Sequence, residues 1–230
     1  MEQQENVNTT LNLTLKEKFK FFFTSPARLF EYYREKPKYG ILFLITLICS
    51  VIYTVIQSNL SKDIIEKHLQ KQFQGLDPQA AEIAKKTGDF MHTPSIQIPL
   101  TLISIVFSIF MSALLIFIIF KICKVALSYK QTVTLYLVAN LAICVGNIFK
   151  TIYMLITQKP TDINIVLDPS VKNTLMNNLN IFSIWYYVLI GIGIYAMGKT
   201  SKKKAIIITV ILAVISIGLA VLAAASKIYK

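Results

Sequence analysis

Five stretches of this sequence are long enough and apolar enough to cross a lipid bilayer, and no other feature restricts its fold so severely. A helix that crosses about 30 Å of hydrocarbon needs about 20 mostly apolar residues. The stretches are 40–57, 98–120, 133–156, 181–197 and 205–225. The expected fold is therefore all-α, a polytopic membrane helix bundle with five transmembrane helices. Composition agrees: 16% of residues are charged, against about 25% in an ordinary soluble domain. The apolar excess is gathered into runs of bilayer length rather than spread along the chain. The first run begins near Gly40, too far from Met1 for a cleavable signal sequence, so insertion is expected through the spans themselves.

Charge sets the orientation. The formal net charge is +12, and the cations sit at the ends of the apolar runs. Lys121, Lys124 and Lys130 occupy the short second-to-third connection, and Lys199, Lys202, Lys203 and Lys204 the fourth-to-fifth. Short loops rich in Lys and Arg stay on the inner side. This predicts an N-terminus inside and a C-terminus outside. The same placement argues against nucleic acid as a partner, because a basic nucleic-acid face gathers its charge on one surface. The organisation expected is a cytosolic amphipathic region over 1–38, a membrane domain over 39–226 with an outer loop at 58–95, and a short outer tail at 227–230. Arg28 and Arg34 are the only arginines beside many lysines, and Ile and Asn abound, a bias that points to a bacterial chain and a cell-membrane location.

The N-terminal region has its own pattern. Leu11, Leu15, Phe19, Phe22 and Phe23 fall on one helical face, with Lys16 and Lys20 elsewhere on the same helix. A basic amphipathic helix beside a bilayer reads as interfacial. Ser25-Pro26 reads as a cap followed by proline at the first helical position. The second helix presents Leu29, Phe30 and Tyr33 and stops before Pro37. Lys16, Phe19, Lys20, Phe22, Phe23, Pro26 and Phe30 are thus the candidate membrane-surface contacts. In the outer loop, Ser61 is expected to cap one short helix and Asp77-Pro78 to start another, both lying on the membrane surface.

A search for catalytic groups finds none: no GxSxG, HExxH, Walker or kinase signature. Cys49, Cys123 and Cys144 form no CxxC pair, and the histidines, His68 and His92, lie apart in the outer loop. Three or four convergent ligands are the usual requirement for zinc. The expectation is no catalytic, cofactor or metal site, and no enzyme.

The spans carry polar stripes instead. Thr46, Ser50 and Thr54 repeat every four residues in the first, and Ser104, Ser108 and Ser112 in the second. Asn140 and Asn147 lie in the third beside Gly146, and the fourth offers Ser183, Tyr187 and Gly191. Such faces either pack helices closely or line a polar path, and spacing does not separate the two. Lys150 is the one charged residue within the spans; it is expected to snorkel outward, with a pairing to Asn147 and Thr151 at a cavity mouth as the alternative. Trp185-Tyr186-Tyr187 reads as an interfacial aromatic anchor.

The segment Phe23-Thr24-Ser25-Pro26-Ala27-Arg28-Leu29-Phe30, followed by Arg34-Glu35-Lys36-Pro37, resembles the entry to the Yip domain. Five spans, short inner loops and a polar third helix are similar as well. That family comprises multi-pass membrane proteins named for interaction with Ypt/Rab GTPases, and eukaryotic members are linked to vesicle traffic. Their Asp-Leu-Tyr-Gly-Pro segment is absent here, so the resemblance implies a bacterial-type member without the GTPase-binding role.

The leading functional expectation is a non-enzymatic membrane protein that organises membrane or recruits partners through its basic N-terminal region. The partners expected are the bilayer, anionic inner-leaflet lipids, and a protein or a second copy of the chain. The alternative is a small permease, channel or transporter accessory subunit that uses the polar stripes of spans 1–3.

Overall fold

The computed structural model describes residues 13–73, 77, 79, 82, 83, 86, 87, 90, 93–168 and 170–228. Among them the regular structure is helical throughout: α1 (Leu15–Thr24), α2 (Pro26–Glu35), α3 (Gly40–Phe73), α4 (Pro94–Ile122), α5 (Tyr129–Thr157), α6 (Ile163–Leu167), α7 (Val171–Asn178), α8 (Ile181–Ala196) and α9 (Lys202–Ile228).

Local chemistry fixes where these helices begin. Thr14 and Glu17 form a reciprocal capping box at α1, and Ser128 and Gln131 form another at α5. Each box satisfies two of the backbone donors that a helix start leaves open. Asn180 accepts from the amides of Phe182 and Ser183, both at 3.0 Å, and so starts α8. Ser25 precedes Pro26 as expected, but its side chain makes no capping bond.

The central element is α5, which packs against α2, α3, α4 and α8. Within its apolar stretch 56% of residues are buried, against 11–17% in α3, α4 and α9. Its buried face includes Ala139, Ala142, Cys144 and Gly146, and small residues let neighbouring helices come close. At Gly146 a Cβ would stand 2.7 Å from the Phe182 ring, which in turn stacks on Phe149.

Among the described residues four helices, α3, α4, α5 and α9, are long and apolar enough to cross a membrane singly. The fourth segment of the sequence is different. The helix α8 has 16 residues, about 24 Å by helical rise, which is short of a bilayer core. It forms a bent pair with α7, and the two axes differ by 58°. The chain is a multi-pass membrane bundle with four to five candidate spans among the described residues, the fifth counting that bent pair as one.

Other boundaries also moved. The helix that starts at Gly40 runs on for 34 residues to Phe73, about 51 Å by helical rise. Ser61 lies inside this helix, only 2% exposed, and caps nothing. The expected surface helix after Gln57 is thus a direct continuation of the span. The expected helix at Asp77-Pro78 lies largely outside the described residues, as does Leu11. The second span starts earlier than 98: α4 begins at Pro94 and carries Pro99 inside it.

The two lysine-rich turns pack together at one end, called the basic end below. Val125, Leu127 and Met197 are buried there, and Lys204 Nζ donates to the Lys124 carbonyl at 3.3 Å. Lys124 and Lys199 both take positive φ, 52° and 47°. A Cβ at Gly198 would stand 2.4 Å from the Ile194 carbonyl oxygen and 2.8 Å from Val125, so only glycine fits this close approach.

Candidate functional site: a basic hairpin and a polar groove

The helices α1 and α2 fold back on each other about Ser25. Lys18 Nζ lies 4.7 Å from the Tyr32 ring centroid and 5.6 Å from that of Tyr33, a cation–π arrangement that holds the two helices together. The hairpin packs on the bundle by its inner face. Phe22, Leu29, Phe30 and Tyr33 are 5% exposed or less. Phe30 fills the space that Gly193 leaves open: a Cβ at Gly193 would be 3.1 Å from Phe30 Cε1 and 2.8 Å from Leu135 Cγ. Gln131 Nε2 donates to the Arg34 carbonyl at 3.0 Å and ties α2 to α5. Burial, with a smaller contribution from neighbouring Tyr32, pushes the Tyr33 hydroxyl up to about 12. The amide and hydroxyl of Thr14 hold the Glu17 carboxyl below its ordinary value.

At the hairpin tip the Phe22 and Phe23 rings lie 5.1 and 5.5 Å from Trp185. Trp185 is eleven residues from the basic end of α8, about 16 Å by rise. The hairpin therefore lies along the flank of α8. Of the expected membrane contacts, Lys16, Phe19, Lys20 and Phe23 are exposed and Pro26 is half-buried. Phe22 and Phe30 face protein, a correction that follows from their burial, and Trp185 is a packing partner of the hairpin.

The polar stripes converge. Thr46, Ser50 and Thr54 of α3 and Thr101, Ser104 and Ser108 of α4 line a cavity of about 500 Å³ floored by Tyr136 and Asn140 of α5. Tyr136 and Asn140 also border a second cavity of about 450 Å³, with Ser112, Ser183 and Tyr187 in its wall. Thr46 is buried and accepts a weak bond from Cys144 Sγ at 3.9 Å. Ser104 and Ser108 are exposed, so the α3–α4 side of this groove opens laterally. Asn147 is half-buried and lines neither cavity.

Lys150 reaches a residue beyond the end of α5, and its ion pair is with Asp162 rather than with Asn147 and Thr151. Its Nζ lies 2.6 Å from Asp162 Oδ2, both side chains being 27% exposed. The Tyr53 hydroxyl donates to the same oxygen at 2.6 Å. Gln57 donates to the Thr161 carbonyl and accepts from the Thr161 amide at 3.1 Å. The segment after α5 thus folds back and fastens α3 to α5. Sequence reasoning missed Tyr53, Gln57, Thr161 and Asp162, because nothing local announces a loop that returns. Among the described residues no three His, Cys, Asp or Glu side chains gather to hold a metal ion.

Comparison with known proteins gives two matches. The family model described as the Yip1 domain matches residues 20–225. The Membrane protein YknW of Bacillus subtilis (strain 168) is 28% identical over 199 residues, 82% of each chain. No solved structure matches.

Proposed function

The chain belongs to the Yip1 domain family, and on that premise we propose that this multi-pass protein of the cell membrane is a non-enzymatic organiser that engages anionic lipid, and through it partners, by its N-terminal hairpin. One observation carries the reading. The hairpin is anchored to the bundle on one face, while Leu15, Phe19 and Phe23 remain 67%, 70% and 49% exposed on the other. Lys16 and Lys20 are exposed beside them. Apolar rings flanked by lysines match the boundary between acyl chains and anionic headgroups. The positive-inside rule assigns the basic end, and with it the hairpin, to the inner leaflet.

Removing residues 1–38 is a poor test, since it strips Phe22, Phe30 and Tyr33 from the core. The better experiment compares hydrogen exchange of α1 in nanodiscs of phosphatidylcholine with and without phosphatidylglycerol. Added phosphatidylglycerol should protect α1 in the native chain and not in the Lys16→Gln/Lys20→Gln double variant. Equal protection in both lipids would sink the proposal.

A second reading, a small permease or transporter subunit, draws support from the polar groove floored by Asn140. It predicts solute flux in liposomes that falls when Asn140 becomes Leu. Flux that Asn140→Leu leaves unchanged would count against it.

A further inference from the structure

A groove of about 530 Å³ runs between α8 and α9, on the side of α8 that the hairpin leaves open. Ile184, Val188, Gly191 and Tyr195 form one wall, and Ala205, Ile206 and Val210 the other. These positions follow helical spacing on both helices, so the groove is a continuous strip parallel to the two axes. Its lining is almost wholly apolar. The Thr209 hydroxyl inside it donates to the Ala205 carbonyl at 2.8 Å and offers nothing outward. Gly191 opens the floor, since a Cβ there would stand 3.0 Å from Thr209 Oγ1.

Lys202 lines the groove at its basic end, with its Nζ 6.0 Å from the Tyr195 ring centroid. Lys199 and Lys203 are exposed close by in sequence. From Tyr195 to Ile184 the strip covers eleven residues, about 16 Å by rise, close to half of a bilayer core of about 30 Å. An apolar channel one leaflet deep, with a cation at its headgroup end, has the shape and charge of a bound anionic phospholipid. A second copy of the chain fits less well. Parallel copies meeting on this face would bring Lys202 against Lys202, and like charges repel.

We propose that this groove binds one anionic glycerophospholipid, with an acyl chain laid between α8 and α9 and the phosphate on Lys202. The site uses residues separate from the hairpin and stands whether or not the hairpin reading holds.

Native mass spectrometry of the full chain, titrated in neutral detergent with dioleoyl phosphatidylglycerol and dioleoyl phosphatidylcholine, tests it. The native protein should prefer phosphatidylglycerol by about fivefold, the contribution of one lysine near a charged headgroup. Lys202→Gln, made in the Lys16→Gln/Lys20→Gln background, should reduce that preference to near parity. In the Lys16→Gln/Lys20→Gln background, where the hairpin adds no anionic-lipid binding, Val188→Trp, which fills the groove from an exposed position, should lose both lipids while helix content by circular dichroism is unchanged. Ile206→Trp, on the opposite wall, serves if Val188→Trp does not fold. The Lys16→Gln/Lys20→Gln variant should retain the groove-dependent binding, which separates this site from the hairpin. Equal binding of the two lipids by the native chain, or phosphatidylglycerol binding untouched by both Lys202→Gln and a groove-filling variant, would overturn the proposal. So would a groove-filling variant that leaves lipid binding intact and instead shifts a monomer–dimer equilibrium, which would assign the groove to a second copy.

Discussion

Lys150 Nζ and Asp162 Oδ2 stand 2.6 Å apart; Tyr53 donates to the same Asp162 oxygen and Gln57 bonds the neighbouring Thr161, so the segment after α5 is fastened to α3. Asp162→Asn should leave a partly buried ammonium without its counter-ion. The pair is intermediate between exposed and buried, so the loss should be about 1–2 kcal/mol. Thermal unfolding in detergent should show the midpoint fall by a few degrees, and Lys150→Met combined with Asp162→Asn should recover part of it. A midpoint unchanged in Asp162→Asn refutes the latch.

Gly193 is the seat of the hairpin. Gly193→Val places a branched side chain where Phe30 and Leu135 meet, an overpacking that costs about 1–3 kcal/mol. The strain is relieved most readily by expelling α2. Amide exchange in α2 should therefore accelerate, with that of the α5 centre little changed. Equal acceleration in both helices would mean that the bundle, not the hairpin, gave way.

Two glycines on long helices should respond in opposite directions. Gly146→Ala drives a methyl to 2.7 Å from the Phe182 ring, whereas a Cβ at Gly218 of α9 meets nothing within 4 Å. Gly218→Ala should be neutral or stabilise α9 by up to about 1 kcal/mol, and Gly146→Ala should destabilise. Thermal midpoints of the two variants check the sign.

The first turn of α1 should depend on pH through Glu17. Its carboxyl is held below the ordinary value of 4.5 by bonds from Thr14. A lowered folded value means that the capping box contributes fully above about 4.5 and is lost as pH falls through the lowered value. Amide chemical shifts of residues 15–18 should hold steady from pH 7 down to about 4.5 and move toward coil values only at more acid pH. Glu17→Gln should abolish that acid step.

The hairpin shows where sequence reading reached and where it stopped. The spacing of Phe19, Phe22 and Phe23 marks an amphipathic helix in the sequence alone, and Ser25-Pro26 marks the turn. The same spacing cannot say that Phe22 turns inward onto Trp185 while Phe19 stays outside, since both satisfy one apolar face. That choice belongs to α8, whose Gly193 leaves room for Phe30.

The bundle divides in the same way. Apolar runs of bilayer length and lysine-rich turns determine by themselves that the chain is an all-helical, multi-pass membrane protein, because a long apolar run in hydrocarbon can pair all its backbone polar groups only as a helix. The polar stripes of α3 and α4 are equally legible, since a period of four is a property of the chain. Their convergence on Tyr136 and Asn140, the pairing of Lys150 with Asp162, the 58° bend before α8 and the groove that ends at Lys202 were decided only by the tertiary structure. Each depends on which helix lies beside which and at what depth, and those relations are set by packing between residues far apart in sequence.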